Sequence, residues 1–341
     1  MADKKPTIHD VAARAGVSKS LVSLALRGSS KVSDASREAI ERAAAELGYR
    51  PNATARSLAD RKSRTIGINM AEIDNPIFPQ MLSGAHAVIR ERGYNTMLVS
   101  GERDPLVEFG ELAKLLEFQI EGLILISHRM SATTVRSLAS DVPTVVLTLQ
   151  GITGPGIDSV TSDDEAGARM AMRHLFDLGH ERIAHISGGS LEPAVVRERI
   201  YREEMSAAGL EAHISVYEGD LTNEGGLRAA RELLSNGPTP TAIFASNDIS
   251  AIGVMSACSE HGLSVPEDIS ILGYDGISIG ELHAINLTTI SQPLTAMGEL
   301  AAERLFDRMA GKRLQGRSIV LEPELMVRGT TAAPKAQRQR N

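Results

Sequence analysis

The sequence predicts an all-α helix-turn-helix head of about 50 residues joined to a two-lobed α/β core of doubly wound parallel sheets. Three observations lead there. Apolar residues fall at helical spacing in three bursts before Tyr49, short apolar strands alternate with helical stretches after Arg64, and the charge divides sharply between these parts. Residues 1–63 hold 12 Lys and Arg against 7 Asp and Glu, whereas the remainder holds 24 against 36. A basic head on an acidic body suits a head that meets a polyanion, either nucleic acid or a membrane surface.

In the head, Ile8, Val11, Ala12 and Ala15 mark one helical face, with Thr7 placed to cap it, Asp10 near its positive end and Gly16 as its stop. Ser18 opens a second helix in which Leu21, Val22 and Ala25 face inward, leaving Lys19, Ser20, Ser23, Leu24 and Arg27 on other faces. Ser33 opens a third, with Ile40, Ala43, Ala44 and Leu47 inward and Gly48 at its end. Asn52 is placed to cap a short helix over residues 53–59, too short to be stable alone, and on propensity the segment reads rather as a polar linker.

Beyond Arg64 the strands are expected at TIGINM, NTMLVS, GLILIS and TVVLTL, then RIAHIS, ISVYEG, TAIFAS and ISILGY, with LTTISQP and the segments after it supplying crossovers and final strands. Four strands in each half predict two similar lobes. The expected boundaries are a head over 1–50, a hinge and linker over 51–63, the two-lobed core over 64–330 and a disordered tail over 331–341, whose polar sequence lacks the heptads of a coiled coil.

One cysteine, Cys258, excludes intramolecular disulfides and multi-cysteine metal sites, and suits a reducing compartment. The first residues lack a secretory pattern, and no run reaches 18 apolar residues, so a cytoplasmic protein without membrane contact is expected.

Ligands of open α/β sheets sit beyond the carboxyl ends of the strands. The polar residues there are Asp74, Asn75, Ser127, His128, Asn247, Asp248 and Asp275. Such a set suits hydrogen bonds to hydroxyls or ring nitrogens.

The segments DVAARAGVSKSLVSLALRG, KVSDASREAI and ELGYRPNATARSLA closely resemble the amino terminus of the lactose-repressor/galactose-repressor (LacI/GalR) family. The resemblance continues through NPIF, SVTSDDEAGA, LGHERIAHISG, ASNDISAIG, ILGYDGI and LTTISQP, and so spans the chain. It implies a dimeric transcription regulator with a periplasmic-binding-protein-like core, in which Lys19, Ser20 and Leu24 correspond to the base-reading positions of a helix in the major groove. The implied DNA-contacting set is Thr7, Ser18, Lys19, Ser20, Ser23, Leu24, Arg27, Asn52, Ala55, Arg56 and Leu58. Within it, 53–59 resembles a hinge helix that folds on operator DNA, with Leu58 as an apolar wedge at the central base step. Arg61, Lys62 and Arg64 add charge that suits phosphates or serves as solvated linker charge.

The resemblance also implies effector contacts at Asn75, Phe78, Arg197, Asn247 and Asp275, to which the strand-end argument adds Ser127. Two departures from the family pattern stand out: Leu221 where relatives often carry an aromatic ring, and Thr148 where many carry an acid. A sugar, a sugar derivative and a nucleobase all remain open as the effector.

Enzyme classes find little support. His174, His180 and His185 are spaced by six and five residues and do not share a helical face, so no metal site is expected from them. GITGPG lacks the spacing of a phosphate loop, no nucleophile elbow is present, and Asp163, Asp164 and Glu165 sit where a helix start favours acids. No catalytic residue and no cofactor is expected. The competing class is a sugar-binding receptor without transcriptional duty, which the basic head opposes.

Overall fold

Three helices, α1 (Ile8–Ala15), α2 (Lys19–Leu26) and α3 (Asp34–Leu47), form the head around a core of Val11, Ala12, Val22, Ala25, Val32, Ile40, Ala43 and Ala44. These include the inward positions expected from spacing. Thr7 N and Oγ1 both donate to Asp10 Oδ2 at 2.7 Å, fixing the start of α1, while Gly16 and Gly48 take φ of 67° and 63° at the helix ends. Arg37 on α3 donates to Ala25 O at 3.1 Å and Ser29 O at 2.7 Å, satisfying carbonyls at the end of α2 and locking the two helices together.

The computed structural model describes residues 6–26, 28–50, 62–311 and 315–335 and comprises two units, Met1–Ser63 and Arg64–Asn341. Arg27 and the expected hinge helix, with Asn52, Ala55, Arg56 and Leu58, lie outside the described residues.

The second unit contains two six-stranded sheets. The first runs β11 (Ser318–Leu321), β5 (Ile157–Ser162), β4 (Thr144–Leu147), β3 (Gly122–Ile126), β1 (Thr65–Met70), β2 (Asn95–Ser100), all parallel. The second runs β12 (Glu324–Met326), β10 (Thr288–Ser291), β9 (Ser270–Asp275), β8 (Ala242–Ala245), β6 (Ile183–Ile186), β7 (Ser215–Tyr217), with only β12 antiparallel. Each sheet reverses its strand order once, between β1 and β3 in one lobe and between β6 and β8 in the other. Those switch points are where an open α/β sheet leaves a crevice at its strand ends.

The remaining helices are α4 (Ile77–Glu91), α5 (Pro105–Glu117), α6 (Ala132–Asp141), α7 (Asp164–Asp177), α8 (Glu192–Ala207), α9 (Asn223–Ser235), α10 (Asp248–Glu260) and α11 (Leu294–Met309). The chain changes lobe after β5, after β10 and after β11. Thus α7 packs Ala168, Ala171, Met172 and Leu175 into the second lobe, whereas α11 returns Leu294, Met297, Ala301 and Leu305 to the first. Where α11 crosses α4, a Cβ on Gly298 would lie 1.9 Å from Met81 O and one on Gly84 2.1 Å from Thr295 O, so this backbone contact requires glycine on both sides.

The structure departs from the sequence expectation in two places. Ile157–Ser162 is a fully buried strand, although IDSVTS is too polar to read as one. Its Asp158 Oδ1 accepts from Arg308 Nη2 at 2.6 Å and Arg317 N at 2.7 Å, which satisfies the carboxylate inside the lobe. Of the tail expected to be disordered over 331–341, the start is bound along β9, continuing from Thr330: Ile271 N donates to Thr330 O at 2.8 Å and Ser270 Oγ to Ala332 O at 3.0 Å. Two of the three histidines hold it there, His180 Nε2 lying 3.0 Å from Ala332 O and His174 Nε2 2.9 Å from Thr331 Oγ1. His185 stacks on Tyr201 in the core, its pKa lowered to about 3 by burial. Residues 336–341 lie outside the described residues.

Candidate functional site

On the head, Ser18 Oγ accepts from Leu21 N at 3.2 Å and so caps α2 while remaining exposed itself. Lys19 and Ser20 are exposed, Ser23 is half-buried, and Leu24 is 38% exposed although it is a leucine. Spacings of four residues put Lys19 with Ser23 and Ser20 with Leu24 on one side of the helix, opposite Val22 and Ala25 in the core. Thr7 is exposed at the start of α1. The result is a short face of one cation, small hydroxyls and one apolar side chain, with the right chemistry for phosphates, base edges and a thymine methyl.

In the second unit the strand ends converge on one cleft between the lobes. Asn75, Phe78, Ser127, Arg197, Asn247 and Asp275 all line it, together with Glu72, Arg129, Thr148, Ser162, Asp164, Leu221 and Gln292. Of the other strand-end residues, Asp74 is exposed and outside the lining, as is buried His128. Asp248 is structural: its carboxylate accepts from Gly276 N, Ile277 N and Thr289 Oγ1, shaping the turn after β9.

Several lining residues serve the scaffold and the cleft together. Asn247 Oδ1 caps α10 through Ser250 N at 2.9 Å, and its Nδ2 donates to Leu221 O at 3.1 Å. Asn75 Oδ1 accepts from Ile77 N at 3.2 Å at the start of α4, and Phe78 is 2% exposed between the core of the first lobe and the cleft. Ser127, Thr148, Leu221 and Asp275 have φ of 53°, 72°, 66° and 125°, a backbone region that side chains rarely adopt. Four such residues thus gather around one cleft, and strained backbone of this kind tends to cluster at ligand sites.

Arg197 organises the floor. Its Nε and Nη2 donate to Asp164 Oδ1 at 2.9 and 2.8 Å, its Nη1 donates to Ser246 O at 2.6 Å, and Asp275 Oδ1 lies 3.6 Å from Nη1. The guanidinium also stacks on Tyr274, its Cζ 3.6 Å from the ring centroid. The neighbours in sequence pair elsewhere, Glu198 with Arg202 and Glu203 with Arg199. Although burial opposes its charge, Asp164, Tyr274 and Asp275 together hold the Arg197 pKa above its ordinary value. Burial pushes Asp275 up to about 8, against the pull of Arg197 and with the charge of Asp248 adding to the rise. Gln292 Nε2 donates to Asp275 Oδ1 at 2.7 Å.

Among the described residues two hydrogen bonds cross between the lobes at this cleft: Arg103 Nη2 donates to Asp220 O, and Gln150 N donates to Glu192 Oε2 at 3.0 Å. The space between is narrow, about 60 Å³. That is well below the roughly 300 to 1,000 Å³ typical of sites that enclose small molecules.

Sequence reasoning missed Asp164, Gln292, Ser162 and Arg129. Ser162 ends β5 and Gln292 directly follows β10, so the strand-end rule finds them once those strands are counted. Asp164 read as an ordinary acid at a helix start, and its partner lies 33 residues away. Among the described residues no group of three or more His, Cys, Asp or Glu could hold a metal ion, and no helix is long and apolar enough to cross a membrane.

Comparison with known proteins agrees with this architecture. Residues 7–52 match the bacterial regulatory proteins of the lacI family, and residues 172–331 match the periplasmic binding protein-like domain. The ribose operon repressor of Escherichia coli (strain K12) is 36% identical over 330 residues, covering 95% of this chain and 99% of that protein. The chain belongs to the lacI family of bacterial regulatory proteins. Among solved structures, the lac repressor dimer bound to operator and the anti-inducer ONPF aligns with a TM-score of 0.85 at 29% identity, covering 97% of this chain and 100% of that one. The complex of the transcriptional regulator CelR with cellobiose aligns with a TM-score of 0.71 at 32% identity, covering 95% and 99%. This lacI-family member is a DNA-binding transcriptional regulator and not an enzyme.

Proposed function

We propose that two copies of the chain read a pseudo-palindromic operator, each through α2, and that a small polar effector in the interlobe cleft controls the affinity. The observation that carries this reading is the convergence of all six expected effector residues on one strained, partly charged cleft in a chain whose head also exposes Lys19, Ser20 and Leu24 on one helix face. The lac repressor structure is a dimer on operator, and the CelR structure holds cellobiose; both support the same arrangement for this relative. Lys19, Ser20 and Leu24 read bases, and Thr7, Ser18, Ser23 and Arg27 hold the backbone. Asn52, Ala55, Arg56 and Leu58 act in the minor groove as the family resemblance implies. The protein works in the cytoplasm, where its DNA is.

The narrowness of the cleft supports a coupling mechanism. A ligand of sugar or nucleobase size enters only when the lobes part or turn about the Arg103–Asp220 and Gln150–Glu192 bonds, so occupancy and lobe angle change together. In a dimer that angle sets the spacing of the two chain entries to the heads, which couples effector to operator.

Selection of bound duplexes from a random pool at fixed salt tests the DNA half. The full chain should enrich one pseudo-palindrome. Lys19→Ala should alter the preferred base at a half-site position by about 1 to 3 kcal/mol. A uniform loss over all sequences would instead make Lys19 a phosphate contact, and no enrichment by the full chain would reject operator reading.

A further inference from the structure

The cleft arginines differ in how they are matched. Arg197 is satisfied by Asp164, Asp275 and Ser246 O, and Arg103 by Glu72 and Asp220 O. Arg129, which follows β3 and lines the same cleft, has no side-chain hydrogen bond or ion pair of this kind among the described residues, and its buried Nε lacks a partner. Its main chain is nevertheless fixed. Arg129 N donates to Glu108 Oε2 at 2.9 Å, and Glu108, 1% exposed, takes Asn69 Nδ2 on its other oxygen. Glu108 and Glu72 both favour the Arg129 charge from nearby, but their direct bonds go to Arg129 N, Asn69 and Arg103 rather than to the Arg129 guanidinium.

A second polar group in the lining is orphaned. Ser162 at the end of β5 is 1% exposed, and its Oγ has no partner. An arginine and a hydroxyl held in place with unused hydrogen-bonding capacity are costly unless something completes them. Burial and the like charge of Arg103 lower the Arg129 pKa against the pull of Glu72 and Glu108, a penalty that an incoming anion would relieve.

We infer that the effector is anionic: a polyhydroxylated small molecule carrying a phosphate or carboxylate, with Arg129 as the receptor for the anionic group and Ser162, Ser127 and Thr148 facing its oxygens. The inference rests on the reading of the cleft as the effector site. The guanidinium fork matches either anion with paired N–H donors, whereas a neutral sugar brings no charge to offset the burial of Arg129.

Calorimetric titration of the full-length protein with matched compounds tests this: ribose with ribose 5-phosphate, glucose with glucose 6-phosphate and with glucuronate, and inorganic phosphate as the minimal probe. In at least one set the anionic member should bind about tenfold or more tightly than its neutral parent. That preference should vanish in Arg129→Gln and persist in part in Arg129→Lys. The set in which it occurs distinguishes phosphate from carboxylate. Neutral compounds binding as tightly as their anionic partners, a preference that survives Arg129→Gln, or no saturable anion binding at all would overturn the assignment. Asn247→Ala separates this from the parent reading: neutral binding that depends on Asn247 but not on Arg129 sinks only the anion proposal, whereas binding indifferent to Asn247 sinks the cleft as the effector site.

Discussion

Arg197→Ala should destabilise the protein by about 3 to 5 kcal/mol and remove effector binding, because it takes the only guanidinium paired with Asp164 and Asp275 among the described residues out of a fully buried cluster. Without it, two buried carboxyls lose their counter-charge and their pKa values rise further above the ordinary range. The damage is therefore expected to grow with pH, being smaller near pH 5, where protonation neutralises the acids, than near pH 8. Urea unfolding of both proteins at these two pH values measures this. A loss below about 1 kcal/mol, independent of pH, would show that Arg197 does not hold the floor of the cleft.

Asp275 supplies the second large effect, one of opposite character. With a folded-state pKa of about 8, against an ordinary value of 3.8, Asp275 keeps a proton in the native protein that the unfolded chain releases above pH 4 or so. Stability attributable to this group should therefore fall as pH rises from about 4 to about 8 and level off above. Asp275→Asn removes that slope while preserving shape and much of the hydrogen bonding, so the variant should gain on the wild type steadily across this window. Asp248, raised to about 6 by burial, leaves a residual slope of the same sign at its lower end. The effector response should also weaken in Asp275→Asn, because Asp275 lines the cleft and the amide cannot reproduce the carboxyl group's hydrogen bonds to a ligand. Parallel stability curves for wild type and Asp275→Asn would contradict the buried, proton-bearing environment.

Legibility in the sequence tracks the period of its patterns. The head could be read because Val11, Ala12, Val22, Ala25, Ile40 and Ala43 repeat at helical spacing between Ser, Thr and Gly caps, and these residues form its core. The central strands could be read because GLILI and AIFA are continuous apolar runs buried on both faces of a parallel sheet. Strand β5 failed that test because Asp158 and its neighbours are buried by satisfaction rather than apolarity, and Arg308 lies 150 residues away. The tail failed for a related reason: Thr330 and Ala332 are held by backbone and hydroxyl bonds to Ile271 and Ser270, which leave no apolar period.

The cleft was half legible. Strand-end position and family resemblance reached Asn75, Asn247 and Asp275 by separate routes, and all three line it. Asp164 was hidden because one residue type serves both as a helix-start acid and as the partner of a distant arginine. Arg129 was hidden because nothing local in GLILISHRM distinguishes a surface cation from one turned into a cleft. Only its place in the cleft lining, with a buried Nε, does so.

Coupling between cleft and operator is the feature on which the regulatory reading stands, and operator affinity of the full-length protein, with and without a compound whose binding requires Asn247, probes it directly. Operator Kd should change by about 5- to 150-fold at saturation, with the same factor appearing in the affinity for the compound when operator is present. A compound that saturates the cleft and leaves operator affinity unchanged would contradict the coupling.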